Sequence, residues 1–339
     1  MPMRILILEY ITGGGLARES LPDSLAREGE LILQALLHDL ERIQEIHLLV
    51  LRDGRLDTVS LSRRNIDLVI VDSGDDFEKV WKEAIGKVDA VWPVAPESGG
   101  ILGRLCHQVA DSGKTLLNSP AEVVELTTEK MKTLQCLAAH GIDVVPTVPL
   151  ESFAEQFRGP WVIKPDDGVG CDRMTMIHTS RRLASMRKDW LGQNGIIQPW
   201  LDGTALSLSV LFNRGMAVLL SCNEQKVVVE HERFSLMACI VNSSGLDRTI
   251  YQDLASAVAQ ALPDLVGYAG VDFISHGGRC TVLEINPRLT TSYAGLSRAL
   301  NQNVAQMVID LFLTGKIPGS INHGTGLMLE LNREKPHEA

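Results

Sequence analysis

The first 118 residues alternate short apolar runs with helix-patterned segments, and this rhythm constrains the fold more than any other feature of the chain. Residues 4–8, 46–51, 66–71 and 88–92 are apolar runs of strand length, and 115–117 is a shorter one. Between them, residues 25–40, 77–85 and 100–110 carry apolar side chains at helical spacing, with Ile101, Leu105 and Val109 on one face. Strands alternating with helices form a parallel sheet covered on both faces. Ligands gather at the carboxyl ends of such strands. Two loops sit at those ends, Glu9-Tyr10-Ile11-Thr12-Gly13-Gly14-Gly15 and Pro93-Val94-Ala95-Pro96-Glu97-Ser98-Gly99-Gly100. The first invites a dinucleotide-dependent oxidoreductase reading, which the missing GxGxxG spacing opposes. In the second, Glu97 or Ser98 faces a ligand or simply caps the next helix.

Beyond residue 118 the pattern changes. A helix is expected over 128–140, closed by Gly141, then short strands at 161–164, 174–177 and 196–198. Strands dominate after residue 200, at 206–212, 216–222, 226–229 and 237–241. A helix at 249–262, a hairpin at 269–286, a helix at 303–314 and a strand at 326–331 follow. The expected class is therefore α/β with an α+β C-terminal half. At 339 residues and 45% hydrophobic, the chain can bury two or three lobes. The expected division is an N-terminal α/β domain over 1–118, a central region over 119–200, a C-terminal lobe over 201–334 and a tail over 335–339.

A net charge of −10 with 5% aromatics and no basic tract opposes nucleic-acid binding. The six cysteines are scattered without CxxC spacing, which suits a reducing cytoplasm. No apolar run reaches membrane-spanning length, so no membrane partner is expected.

The run Val282-Leu283-Glu284-Ile285-Asn286-Pro287-Arg288 alternates as a strand and sets Glu284, Asn286 and Arg288 on one face. A carboxylate and an amide oxygen are hard ligands of the kind Mg²⁺ takes when it also holds nucleotide phosphates. The guanidinium is a planar fork suited to a phosphoryl group. Polar residues on a solvated strand are the competing reading, and Asp272 in the preceding strand weighs against it. In an antiparallel hairpin, directly opposed residues have a constant sum of numbers. Asp272 and Glu284 then share a face only across an odd loop. A three-residue loop His276-Gly277-Gly278 is expected, setting Asp272 opposite Val282 with Glu284 diagonal. A two-residue turn at Gly277-Gly278 would separate the acids.

Lys164 ends a strand that runs into Asp166-Asp167-Gly168-Val169-Gly170-Cys171. The lysine suits nucleotide phosphates, and Gly168 and Gly170 let backbone N–H groups approach them. An Asp- and Gly-rich turn is the competing reading, and no Walker A spacing is present. Lys130 falls in the first turn of the 128–140 helix, where it opposes the helix dipole unless an anion is bound; Thr127 or Thr128 is expected to cap that helix. Pro199 breaks the segment Ile197-Gln198-Pro199-Trp200-Leu201-Asp202-Gly203, which reads as a hinge or a plain linker. Hinge backbone groups would meet a purine edge, with Trp200 or Leu201 on its face. The histidines show no triad or zinc spacing.

In this order, Lys130, Lys164 with its glycine loop, the hinge Gln198–Pro199–Trp200–Leu201–Asp202, then Asp272, Glu284, Asn286 and Arg288 resemble the ATP-grasp superfamily of carboxylate–amine ligases over nearly the whole chain. The resemblance implies two lobes gripping ATP, with a lid near 133–198. It implies Mg²⁺, or alternatively Mn²⁺, on Asp272, Glu284 and Asn286, and Arg288 as the catalytic residue. It also implies small-molecule carboxylate and amine substrates. Gln198 and Ala205 stand where many members carry hinge acids, and Asp202 is the candidate for the ribose. The stretches 9–15, 95–100 and 290–296 look similar to the tyramine–L-glutamate ligase group, which serves methanofuran or methylofuran synthesis. That resemblance implies glutamate as donor and a tyrosine-derived amine as acceptor. Glu97 is then a candidate for the ammonium, and Arg233 for a second substrate carboxylate. A nucleotide-binding regulatory protein with the same fold is the alternative.

Overall fold

The computed structural model describes residues 2–61 and 65–331. The expected tail at 335–339 and the last residues of the 201–334 region lie outside them.

Strands β1 (Met3–Glu9), β2 (Ile46–Asp53), β3 (Ile66–Val71), β4 (Ala90–Val94) and β5 (Thr115–Leu116) form a parallel sheet ordered 3-2-1-4-5. Helix α1 (Asp23–Leu40) buries Leu33, Leu36 and Leu37 against the face carrying Ile5 and Ile7. Helices α2 (Phe77–Ile85) and α3 (Ile101–Asp111) cover the face carrying Leu6 and Leu8. Strand order reverses between β1 and β4, so a crevice opens where the loops after Glu9 and Val94 leave the sheet.

Two helices follow where one was expected: α4 (Ala121–Thr128) and α5 (Lys130–Ala139), broken at Glu129 with φ −85 and ψ 97. Thr127 and Thr128 do not cap α5. Their hydroxyls donate to the carbonyls of Val123 and Val124 one turn back, finishing α4 instead.

The second sheet is antiparallel. Its strands are β6 (Val148–Pro149), β7 (Trp161–Pro165), β8 (Thr175–Ile177), β9 (Gly195–Pro199), β10 (Thr204–Asn213), β11 (Met216–Glu230), β12 (Arg233–Val241), β13 (Gly267–His276), β14 (Arg279–Asn286) and β15 (Leu327–Glu330). Their order is 14-13-10-11-12-8-7-9-6, with β15 also on β12. The strands expected at 216–222 and 226–229 are one strand, β11, which a bulge at Lys226/Val227 lets continue. β8 joins β12 through the pair Arg233–Thr175.

Helices α6 (Ser180–Asp189), α7 (Arg248–Ala261), α8 (Tyr293–Leu300) and α9 (Val304–Thr314) complete the chain. α6 was not anticipated because it buries only Leu183 and Met186, too sparse an apolar stripe to read. The first domain and the C-terminal lobe share one core, in which α1 meets α8 and α9. Buried Asp39 of α1 ties them. It accepts from Tyr293 (2.9 Å) and Ser297 (2.5 Å), and its carbonyl accepts from Asn303 (2.7 Å). Among the described residues no helix is long and apolar enough to cross a membrane.

Candidate active site

The β13–β14 hairpin turns on two residues, not three. His276 pairs with Arg279, and Gly277 and Gly278 both take positive φ, as a type I′ turn requires. The expected three-residue loop is therefore wrong, yet the acids are not separated. A bulge between Phe273 and Asp272 lets Phe273 pair with Val282 and Asp272 with Glu284, so the extra residue, Leu283, sits in the strand. The outer edge of β14 gives the physical reason. Val282 donates to the Asp143 carbonyl (2.9 Å) and accepts from the Val145 amide (3.0 Å), which pins the strand just before the bulge.

Asp272 and Glu284 thus face each other directly. Asn286 Nδ2 donates to one Asp272 oxygen (3.2 Å) and Gln225 Nε2, from β11, to the other (3.3 Å). Burial pushes the Asp272 carboxyl up to about 8, and the facing Glu284 adds to the shift. Burial also opposes charge on Glu284, but Lys130 and Lys164 hold it below its ordinary value. Two buried carboxylates that repel each other, with an amide beside them, fit a hard divalent cation whose remaining positions go to phosphate or water. Among the described residues no three His, Cys, Asp or Glu side chains cluster as a metal cage. Gln225 carries no sequence signal, because only the β10–β11 and β10–β13 registers together bring it to Asp272.

Both lysines are buried, Lys130 at 5% exposure and Lys164 at 4%. Their Nζ atoms lie 3.4 and 3.8 Å from Glu284 Oε2. Lys130 Nζ also donates to the Gly168 carbonyl. Burial lowers the Lys164 ammonium, with Glu284 opposing the shift. The glycine loop also supplies the cap that the threonines do not: Asp166 Oδ1 accepts from Met131 N (2.9 Å) and its carbonyl from Lys130 N (3.2 Å). Gly170 takes φ 57 with open space about its Cα, and Asp167 Oδ2 accepts from Gly99 N (3.0 Å). The loop therefore touches the crevice of the first sheet.

The segment between β9 and β10 joins the 148–199 strands to the rest of the sheet. Gln198 is buried and donates to Thr147 Oγ1 (2.9 Å), and Pro199 ends β9 opposite Trp161. Trp200 is 38% exposed, and its indole donates to Asp202 (3.0 Å). Leu201 packs against the core beneath β10 and β13.

Arg288 lies at the end of the metal strand, where Nε donates to Glu97 Oε2 (2.9 Å) in the loop after β4. The two residues singled out for phosphoryl group and ammonium therefore meet. Arg233 stands apart from them. It lines a cavity of about 410 Å³ with Arg173, Arg182 and His231 beside β8 and α6. The Gly13–Gly15 loop is packed, not open: a Cβ at Gly14 would fall 2.5 Å from Val71 Cβ, and one at Gly15 2.4 Å from the Tyr10 ring. Its glycines answer to crowding by Leu8, Val71 and Tyr10.

Residues 127–292 match the ATP-grasp domain family, and residues 46–124 match the pre ATP-grasp 3 domain family. The chain is 23% identical over 307 residues to the tyramine–L-glutamate ligase of Methanocaldococcus jannaschii, covering 90% of this chain and 88% of that protein. It is 24% identical over 294 residues to the same enzyme of Methanocaldococcus fervens, covering 86% and 89%. The fold is similar to that of an ATP-grasp superfamily protein from Archaeoglobus fulgidus, with a TM-score of 0.70 at 21% identity over 97% of this chain and 92% of the other.

Proposed function

The chain belongs to the ATP-grasp superfamily, and we propose that it joins a carboxylate to an amine through an acyl phosphate made from ATP. The observation that carries this reading is the convergence of Lys130 and Lys164 on Glu284, which faces Asp272, with Arg288 two residues beyond the end of the same strand. Two buried lysines on one of two facing acids suit a polyphosphate that arrives with its own divalent cation.

Lys130 and Lys164 exchange Glu284 for the nucleotide phosphates, and the Gly168 and Gly170 amides add donors around them. Mg²⁺, held by Asp272, Glu284 and Asn286, would neutralise phosphate charge and orient the transferred group. The donor carboxylate oxygen attacks the γ-phosphorus and ADP leaves. Arg288 stabilises the charge that spreads over the phosphoryl oxygens. The neutral amine nitrogen then attacks the acyl carbon, inorganic phosphate leaves, and the one proton the nitrogen sheds goes with the departing phosphate as the amide forms. The strands over 148–199 act as a lid that keeps water from the acyl phosphate. Trp200 and Leu201 line the adenine and Asp202 faces the ribose.

The two ligase relatives support L-glutamate as donor and tyramine as acceptor. The test is ADP release with Mg-ATP, L-glutamate and tyramine, with product mass read from the same tube. Amide formation that requires both substrates supports the reading. ATP hydrolysis indifferent to both, or no turnover, rejects this substrate pair.

A further inference from the structure

One carboxylate near Arg288 has no role in the chemistry above. Glu28 projects from α1 of the first domain and its Oε1 accepts from the hydroxyl of Thr291, three residues past Arg288. Its charge acts on Arg288, on Cys171 of the glycine loop and on Glu9 at the end of β1. It therefore stands where α1, the crevice between β1 and β4, the glycine loop and the end of the metal strand meet. Among the described residues no lysine or arginine forms an ion pair with it.

Glu97 supplies an independent observation. It is 4% exposed, and while Oε2 accepts from Arg288, Oε1 is buried with no hydrogen-bond partner. A buried acceptor without a donor costs about 1–3 kcal/mol, so such atoms persist where a ligand completes them. Arg288 is the cation that both carboxylates address, and in the proposed reaction it turns to the phosphoryl group. The crevice then holds two carboxylates with no cation between them. A group with several N–H donors and a positive charge meets that deficit, and a primary ammonium offers three.

We propose that Glu28 and Glu97 form the ammonium subsite for the acceptor, so that the protein selects protonated primary amines, with Glu28 the specificity-determining residue. This rests on the ligase reading. Glu28 positions the acceptor nitrogen beside the acyl phosphate that Arg288 attends, and one ammonium proton passes to Glu97 Oε1, the acceptor without a donor, before the neutral nitrogen attacks.

The experiment compares wild type with Glu28→Gln, which keeps an oxygen for Thr291 and removes only the charge. Each is assayed with Mg-ATP and L-glutamate against two nucleophiles, tyramine and the neutral hydroxylamine. The expected result is a rise in KM for tyramine of about tenfold or more, the loss of one charge-assisted hydrogen bond. The loss with tyramine should exceed that with hydroxylamine by a similar factor. Equal losses with both nucleophiles, or an unaltered KM for tyramine, overturn the subsite and leave the ligase reading standing. Wild type that forms neither amide nor hydroxamate overturns both. Calorimetry on wild type with Mg-nucleotide and glutamate gives a check free of any variant. Tyramine should bind about tenfold or more tighter than its alcohol analogue, tyrosol, and equal binding, or binding of neither, overturns the subsite.

Discussion

Replacing Asp272 by Asn should stabilise the metal-free protein, although it removes a proposed metal ligand. In the fold the Asp272 carboxyl is raised from 3.8 to about 8, by burial first and by Glu284 second. At neutral pH it must therefore take up a proton to fold. At about 1.4 kcal/mol per unit, the interval from 3.8 to pH 7 costs on the order of 4 kcal/mol. Asn pays no protonation cost, but it cannot accept from both Gln225 and Asn286, which returns about 1 kcal/mol. The net gain is about 3 kcal/mol, which amounts to several degrees of melting temperature. A carboxyl raised on folding weighs nothing below 3.8, and its destabilising weight grows until pH passes about 8. The assay is calorimetric melting of both proteins in chelator from about pH 5 to about pH 8. The variant's advantage should widen across that range, and added Mg-ATP should raise only the wild type. A gap that ignores pH, or a variant that melts lower throughout, refutes the reasoning.

Glu284→Gln should act in the opposite direction, because it strips two buried lysines of their shared counter-charge; urea unfolding should show a loss of about 3–5 kcal/mol. Arg288→Ala should lower turnover by about 10²–10³-fold, as for a group that acts on transition-state charge. Mg-ATP affinity, read by calorimetry, should move far less, and equal losses would contradict the role given to Arg288. Gly29→Ala places a methyl 2.4 Å from Glu9 Oε2 and should cost about 1–3 kcal/mol in urea unfolding by forcing Glu9 off the Thr12 loop. A wild-type midpoint would show that the loop gives way freely.

The parallel sheet and its helices were legible because β1, β2 and β4 are buried almost throughout and each helix buries one stripe, patterns that the order of residues carries directly. The acids were legible as a pair, but not the manner of their pairing. Eleven residues separate Asp272 from Glu284, and an odd number needs one residue out of register. Whether that residue lies in the turn or in the strand depends on Val282 being pinned by Asp143 and Val145, a contact from more than a hundred positions earlier. The capping of α5 failed for a similar reason: Asp166, distant in sequence, took the place of Thr127 and Thr128. Arg233 offers a sequence reading only its charge, and register carries it to β8. Glu28 gave no sign in the sequence, since an acid on an amphipathic helix is ordinary until the helix's neighbours are known.

The bulge at Leu283 bears on how such a chain can vary over time. Removing that residue would join Val282 to Glu284 in a regular ladder and leave Asp272 opposite Glu284, because the pairs on either side already match. Lengthening the turn by one residue would be taken up outside the ladder. A lineage can therefore shed this residue, or gain one at the hairpin tip, without passing through an ancestor whose two acids point to opposite faces.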